Sequence, residues 1–249
     1  MLIVVHQSVK SLYEQKFKKG DYGKSAVFLN PDPHHYHQRI LQIVKSINKT
    51  KPKLKVLDVG CATGYLSAPI KKFGDNLVYG VEISELAAKE AEKVLDGVIV
   101  GNIEEIDLPY PEGYFDVIIC SDVLEHLFDP KNTLIRLKRY LNKDGVLLVV
   151  LPNVAHYTVR LALLRGKWEY QAHGILDIGH LRFFTKKSAV KMFKEAGYSI
   201  EGIIPYTVLP FPLNVLDKML RRIFTRLFSR FCDTLFAYTY LYVLKPRGK

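Results

Sequence analysis

Apolar runs alternate with amphipathic stretches along the chain, and this alternation predicts strands that take turns with helices. The predicted strands cover 54–59, 76–82, 98–101, 115–120 and 145–151, and the predicted helices cover 65–73, 84–94 and 130–141. Strands and helices that alternate in this way predict an α/β fold with a doubly wound parallel sheet.

The C-terminal part of the chain extends this sheet. Thr185 and Gly197 have the residue types of a helix N-cap and a helix stop, so they predict a helix over 185–196. A sixth strand is predicted over 198–204. The alternation of aromatic and aliphatic residues over 236–244 predicts a last, antiparallel strand.

The length and the hydrophobic content, 249 residues and 48%, allow one sizeable core, so a single domain over 1–249 is expected. Within it, 36–151 would form the ligand-binding core and 152–185 an insertion on the substrate side. The range 205–234 would be a basic amphipathic segment between the last two strands.

The turn after the first predicted strand carries the sequence Asp58-Val59-Gly60-Cys61-Ala62-Thr63-Gly64. A strand that enters a helix through such a turn places backbone N–H groups and a carboxylate around one small ligand. The glycines let the ligand approach the backbone without a Cβ in the way. A dinucleotide site needs a middle glycine for the pyrophosphate, and Ala62 stands at that position, which argues against NAD.

The pattern D-x-G-x-x-x-G resembles motif I of the class I S-adenosylmethionine-dependent methyltransferases. The cofactor of that family carries no phosphate, so Ala62 is compatible with it. The resemblance implies that Asp58 holds the amino end of the cofactor or orders the turn. It also implies close approach at Gly60 and Gly64, and backbone contacts from Cys61 and Ala62.

Glu82 ends the second predicted strand, about 20 positions after the glycine turn, where an acid can accept hydrogen bonds from a ribose. In the family, that acid holds both ribose hydroxyls. The Gly101-Asn102-Ile103-Glu104 segment resembles the adenine-binding turn, although most relatives have Asp where this chain has Asn102. Ile83 and Ile103 are implied as further cofactor contacts.

The segment Ser121-Asp122-Val123-Leu124-Glu125-His126 resembles the Leu-Glu-His segment of the family, with Ser121 and Leu124 implied in cofactor binding. In ubiquinone-pathway relatives, an arginine at the distance of Arg39 before motif I contacts the cofactor carboxylate. A solvated helix charge is the alternative for Arg39. The resemblance implies a seven-stranded, mostly parallel Rossmann-like methyltransferase sheet with helices on both faces and an antiparallel last strand.

Methyl transfer to a hydroxyl needs a base, and His126 and His180 are the candidates. Their alternatives are a helix-start histidine and a loop-ordering histidine. The stretch from Asp177 to Thr185 resembles surface-polysaccharide and lipid-modifying methyltransferases. His34, His35 and His37 lack a fourth metal ligand, so no metal site is expected.

The formal charge of +11 lies almost entirely in one part of the chain. Residues 1–159 carry 20 basic and 19 acidic side chains, whereas 160–249 carry 16 basic and 6 acidic ones. This asymmetry favours an anionic partner, which is a nucleic acid, an anionic lipid or a phosphorylated substrate, and a solvated lysine surface is the alternative. Over 213–231, apolar and basic positions recur as in an amphipathic helix that docks on the sheet, on the mate of a homodimer or on an anionic membrane.

The three scattered cysteines form no disulfide framework, and the N-terminal apolar run is too short for a signal peptide, which predicts a cytoplasmic protein or one peripheral on the inner face of the membrane. The segment after the fourth strand differs from Asn/Asp-Pro-Pro-Tyr/Phe, the segment shared by enzymes that methylate nitrogen. The sequence therefore favours hydroxyl methylation of a small-molecule, glycan or lipid-linked acceptor. The alternatives are an RNA-modifying methyltransferase and a non-catalytic cofactor-binding module, although the latter usually loses the glycine turn or the ribose acid.

Overall fold

The structure, a computed structural model, describes residues 2–18, 29–207 and 233–248. One seven-stranded sheet runs through it in the order β3-β2-β1-β4-β5-β7-β6. All neighbouring pairs from β3 to β5 are parallel, whereas β7 runs antiparallel to β5 and to β6. The strands are β1 Lys55–Val59, β2 Leu77–Glu82, β3 Gly97–Val100, β4 Phe115–Ser121, β5 Leu141–Pro152, β6 Tyr198–Thr207 and β7 Ala237–Pro246.

Six α-helices of seven residues or more lie in the described ranges. They are α1 Leu2–Lys18, α2 Tyr36–Thr50, α3 Glu85–Ala91, α4 Pro130–Tyr140, α5 Tyr157–Leu164 and α6 Lys186–Glu195. Short 3₁₀ helices cover Ala68–Phe73 and Leu124–His126, and a helical turn covers Asp233–Phe236. None of the helices in these ranges combines the length and the apolar character that crossing a membrane requires.

Both faces of the sheet are covered, because successive side chains of a strand point to opposite faces. Leu57 of β1 faces a cluster built with α4 and α6, which includes Leu134 and Phe193. Val56, its neighbour in the chain, faces a second cluster built with α2, which includes Ile40. The predicted α/β sheet with its antiparallel last strand is confirmed.

Most predicted elements agree with the structure to within a few residues, but the helix predicted over 65–73 is wrong in type and in start. The backbone turns through residues 62–67 and then forms the 3₁₀ helix Ala68–Phe73, whose first turn contains Pro69. Proline lacks an N–H and disfavours α conformation in the residue before it, so a helix forms more easily from this position than through it. Helices α1 and α5 were not predicted.

The predicted N-cap Thr185 is confirmed, and a second N-cap is formed by Ser84. Ser84 accepts a hydrogen bond from the Ala87 N–H at the start of α3, and Thr185 forms a capping box with Ser188 at the start of α6. Most of the predicted segment 205–234 falls on 208–232, outside the described residues. The amphipathic helix over 213–231 therefore stays a prediction.

Candidate active site

A cavity of about 470 Å³ opens at the carboxyl ends of the parallel strands, around the junction of β1 and β4. The chain turns to opposite sides of the sheet after these two neighbouring strands, and ligands bind at such switch points in doubly wound folds. Nine of the predicted site residues line it: Gly60, Ala62, Glu82, Ile83, Asn102, Ile103, Ser121, His126 and His180.

The glycine turn has the geometry that the sequence predicts. Gly60 and Gly64 have φ angles of +70° and +76°, a region that side chains other than glycine rarely adopt. A Cβ on Gly60 would lie 2.6 Å from Val123 Cγ2, so space also requires glycine there. Ala62 adopts a φ of +47°, and its N–H donates a 2.9 Å hydrogen bond to Glu82 Oε2.

Glu82 joins the turn to the end of β2. Its Oε1 accepts a hydrogen bond from the Ser84 N–H at 2.9 Å, while Oε2 accepts from Ala62. Its side chain is almost fully buried and lines the cavity. Glu82 is therefore held in one orientation before any ligand arrives, which is the arrangement expected of an acid that receives ribose hydroxyls.

Asp58 lies beneath the cavity rather than among the described residues that line it. Its Oδ2 is buried without a hydrogen-bond partner in the described ranges. The pKa of Asp58 is raised to about 7, mainly by burial; a hydrogen bond with Ser67 opposes the shift, and the nearby Glu82 carboxylate adds to it. Such a carboxyl group is stabilised as a carboxylate by a nearby positive charge, which agrees with the predicted role at the amino end of the cofactor.

Three further predicted cofactor residues are also missing from the described lining of the cavity, namely Cys61, Gly64 and Leu124. Cys61 is buried, and a Cβ on Gly80 of the adjacent β2 would lie 2.5 Å from its Sγ. Leu124 is fully buried in the core. These three residues therefore support the backbone next to the cavity and do not line the cavity themselves.

Arg39 is the prediction that the structure supports least. Its Nη1 donates to Gln42 Oε1 at 3.0 Å and its Nη2 contacts His34 Nδ1 at 3.4 Å, and it is absent from the described lining. Tyr36, one turn earlier on α2, lines the cavity instead, and its hydroxyl hydrogen-bonds Asp122. The solvated alternative agrees better with the geometry of Arg39.

Asn102 uses its amide to order its own turn. Oδ1 accepts from the Glu104 N–H at 3.0 Å, and Nδ2 donates to Glu105 Oε1 at 3.3 Å. An amide oxygen has two lone pairs, so Oδ1 can accept a second hydrogen bond from a ligand. Ile83 and Ile103 line the same part of the cavity and give it the apolar walls that a flat base requires.

The two predicted histidines meet in the cavity. Their rings lie 4.8 Å apart in a T-shaped arrangement, although 54 positions separate them in the sequence. His126 Nδ1 lies 2.9 Å from the Gly179 carbonyl oxygen, and His180 Nδ1 lies 3.0 Å from that of Ile175. A carbonyl oxygen only accepts, so each Nδ1 carries the proton and each Nε2 keeps a lone pair.

Both histidines are neutral at neutral pH. Burial and the neighbouring His180 lower the pKa of His126 to about 4, against the opposing effect of the Gly179 carbonyl and of Asp177. Burial likewise lowers the pKa of His180 below its usual range. A neutral imidazole with a free lone pair can take a proton from a hydroxyl group.

Glu125 adds an acid to the pair. Its side chain is fully buried, neither carboxylate oxygen has a hydrogen-bond partner in the described ranges, and burial raises its pKa well above the usual range. One ligand atom from each of Glu125, His126 and His180 lies within 4.8 Å of the others. Such a group can share a proton or hold a divalent cation. That no metal is needed stays a prediction.

Helix α1 contributes residues to the cavity that sequence reasoning missed. Tyr13 packs edge-on against His126, with ring centroids 5.9 Å apart. Lys16 Nζ lies 3.1 Å from Asp177 Oδ1, and both side chains are mostly buried. Outside the cavity, Glu14 Oε1 of the same helix accepts a hydrogen bond from the Glu85 N–H at 2.6 Å. The i, i+3 spacing of Tyr13 and Lys16 was the available signal, but it resembles that of any amphipathic helix.

Comparison with known proteins decides the family. The family model described as a methyltransferase domain matches residues 33–202, which is more than half of the chain. The chain belongs to the methyltransferase domain family. With motif I and the ribose acid placed in one cavity, the prediction of a class I S-adenosylmethionine-dependent methyltransferase is confirmed.

Individual relatives are distant. The methyltransferase is 28% identical to the ubiquinone biosynthesis O-methyltransferase of Thiobacillus denitrificans over 63% of this chain and 69% of that protein. It is 26% identical to the Rickettsia akari enzyme of the same name, over 53% of this chain and 52% of that one. The match thus spans about half to two thirds of these curated relatives.

Among solved structures, the fold is similar to that of magnesium protoporphyrin IX methyltransferase from Synechocystis with bound S-adenosylhomocysteine. The TM-score is 0.61 at 17% identity, with full coverage of both chains. At this identity, the similarity supports the fold alone.

Proposed function

We propose that this methyltransferase transfers the methyl group of S-adenosylmethionine to a hydroxyl oxygen of a small-molecule, glycan or lipid-linked acceptor. The observation that carries the proposal is the neutral pair His126 and His180, which lines the cavity at the end of β4 with one lone pair on each Nε2. The names of the curated relatives, which are O-methyltransferases, support the choice of oxygen.

The reaction is an in-line displacement. S-adenosylmethionine, held at Glu82 and the glycine turn, would supply an electrophilic methyl group on a positively charged sulfur. The hydroxyl oxygen would displace that sulfur, which would keep the electrons of the carbon–sulfur bond, and the hydroxyl proton would move to the Nε2 of His126 or His180. The enzyme holds the two reactants together in the right orientation. The histidine removes the hydroxyl proton, because water is a poor base for this purpose.

The acceptor end of the cavity combines one ion pair with aromatic walls. Lys16 and Asp177 lie beside the histidines, and Tyr13 and Tyr238 line the same space. The cavity of about 470 Å³ has to hold the cofactor together with the acceptor. We infer that a larger acceptor inserts only its reacting group, which agrees with a glycan or a lipid-linked molecule.

We place the activity in the cytoplasm, peripheral on the inner face of the membrane, because a lipid-linked acceptor resides in the bilayer. The basic excess of residues 160–249 supports an anionic partner of this kind. The segment 213–231, with an anionic membrane or a homodimer mate as its partner, remains the prediction made from the sequence.

The pH profile of turnover tests the role of the histidines. A histidine that acts as a base must be neutral, so kcat/KM falls as the pH drops through its pKa. Because burial lowers that pKa, to about 4 for His126, the acid limb should lie below the usual histidine value of about 6.5. An acid limb clearly above that value would contradict the histidine base.

A metal-assisted variant of the same reaction is the second candidate, because Glu125 and the two histidines lie close enough to share a divalent cation. A chelator in the same assay separates the two. Turnover that survives the chelator supports direct proton transfer to a histidine. Turnover that is lost and then restored by added Mg²⁺ or Mn²⁺ supports the metal-assisted reaction.

A further inference from the structure

A second surface, outside the cavity, is built for an apolar partner. Helix α5 buries Val159 and half-buries Ala162, whereas Leu161, Leu163 and Leu164 are exposed. All eleven residues from 163 to 173 are exposed. Leu164 is 82% exposed, which is unusual for a large aliphatic side chain. The large hydrophobic residues exposed on this surface, named here the α5 patch, are Leu161, Leu163, Leu164, Trp168 and Tyr170.

The backbone that carries the α5 patch is ordered. The Gly166 and Lys167 N–H groups bond to carbonyls of the last turn of α5, at 2.9 Å each. The Gln171 N–H bonds to the Leu176 carbonyl at 2.8 Å. Trp168 packs edge-on against Phe183, with ring centroids 5.2 Å apart. The exposure of its apolar side chains is therefore a property of the folded state.

Basic side chains lie among these apolar residues. Arg165 and Lys167 are exposed next to Leu164 and Trp168, and Glu169 is the acid nearest to them in the chain. Leucine and tryptophan interspersed with Arg and Lys are the composition with which peripheral segments enter the headgroup region of an anionic bilayer. The positive charges of Arg165 and Lys167 complement the negative surface of such a bilayer, which is the reason to prefer this partner.

The α5 patch also leads to the cavity. His173 and Gly174, three and four residues after Tyr170, line the acceptor side beside Asp177. A surface held at the bilayer by Leu164 and Trp168 would keep that side of the cavity next to the membrane. A lipid-linked acceptor could then present its hydroxyl group without leaving the bilayer.

We propose that the α5 patch docks this methyltransferase on an anionic lipid bilayer, with its leucines and Trp168 in the acyl boundary and Arg165 and Lys167 at the lipid phosphates. The docking deepens the proposed function, since it names the medium from which the acceptor comes. It does not depend on the chemistry of the histidines.

Trp168 is the only tryptophan of the chain, so its emission reports on the patch alone. With vesicles of phosphatidylglycerol and phosphatidylcholine, the emission should shift to shorter wavelength and be quenched by brominated acyl chains. Phosphatidylcholine vesicles alone should have little effect. The double variant Leu163→Asp, Leu164→Asp should weaken vesicle binding by roughly tenfold or more, because each leucine loses its place in the acyl region.

Matched controls separate docking from misfolding and from general charge. Ile135→Asp changes another exposed aliphatic residue, on α4, and should leave vesicle binding unchanged. The double variant Arg165→Glu, Lys167→Glu should abolish the preference for anionic lipid, whereas Lys49→Glu with Lys143→Glu should reduce binding far less.

Vesicle binding without a change in Trp168 emission overturns the proposal and shifts the contact to another part of the chain. Absence of vesicle binding at low salt overturns it as well. The proposal also fails if sedimentation shows that self-association of the protein alone accounts for the change in Trp168 emission. Binding of S-adenosylhomocysteine, measured by calorimetry on the same variants, should be unaffected. A failure of docking is thereby distinguished from a failure of the proposed reaction.

Discussion

Replacing His126 or His180 with alanine should lower kcat by about 10²–10⁴, the loss expected when a positioned base is removed. The affinity for S-adenosylhomocysteine should change little, because both rings lie beside the acceptor-side residues Lys16 and Asp177 rather than at the glycine turn. Single-turnover kinetics with a saturating labelled cofactor measures the chemical step without the contribution of product release.

The double variant tests whether the histidines act together. Because their rings contact each other, the loss in the double variant should be close to that of the more severe single variant. His34→Ala is the matched control, since His34 is exposed and lies outside the described lining of the cavity. Near-normal turnover in both single variants would mean that neither histidine is the base.

Glu82→Ala should weaken the binding of S-adenosylhomocysteine by about 1–3 kcal/mol, because the ribose hydroxyls lose their acceptor. The structure adds a second cost. The Ala62 and Ser84 N–H groups both donate to this carboxylate, so the variant also leaves two backbone donors without their partner. The free energy of unfolding should therefore fall together with the cofactor affinity.

Calorimetry on the purified protein checks both parts, with thermal unfolding measured in parallel. Glu82→Gln should retain part of the affinity, because its amide oxygen can still accept while its NH₂ group cannot. Glu90→Ala, which removes an exposed carboxylate paired with Lys93, is the control. Unchanged S-adenosylhomocysteine affinity in Glu82→Ala, or NAD binding by the unaltered protein, contradicts the assignment of the glycine turn.

The parts of the structure that follow from local pattern were predictable from the sequence. The inner strands β1 and β4 and the parallel part of β5 are buried on both faces, so each of them has the sequence of an apolar run. The glycine turn follows from backbone geometry, because Gly60 and Gly64 occupy conformations that other residues avoid. The distance of Glu82 from the glycine turn along the sequence was therefore enough to predict that Glu82 lines the cavity.

The remainder depends on contacts between distant parts of the chain. Lys16 and Asp177 are 161 positions apart, and nothing local to either residue indicates the other. Arg39 was chosen by its distance to the glycine turn, but the direction in which a helix presents its side chains depends on how it packs. On α2 that packing brings Tyr36 to the cavity and directs Arg39 to Gln42 and His34.

Transfer to a hydroxyl group is the central claim, and the product of the reaction tests it most directly. The protein is incubated with methyl-labelled S-adenosylmethionine and, separately, with the small-molecule, lipid, glycan and RNA fractions of its source cell. The account predicts label in a small-molecule, lipid or glycan product as a methyl ether that resists alkaline hydrolysis, and loss of that label in the His126→Ala, His180→Ala double variant. Label on a nitrogen atom of any acceptor would contradict the claim, and label in RNA would contradict the proposed class of acceptor.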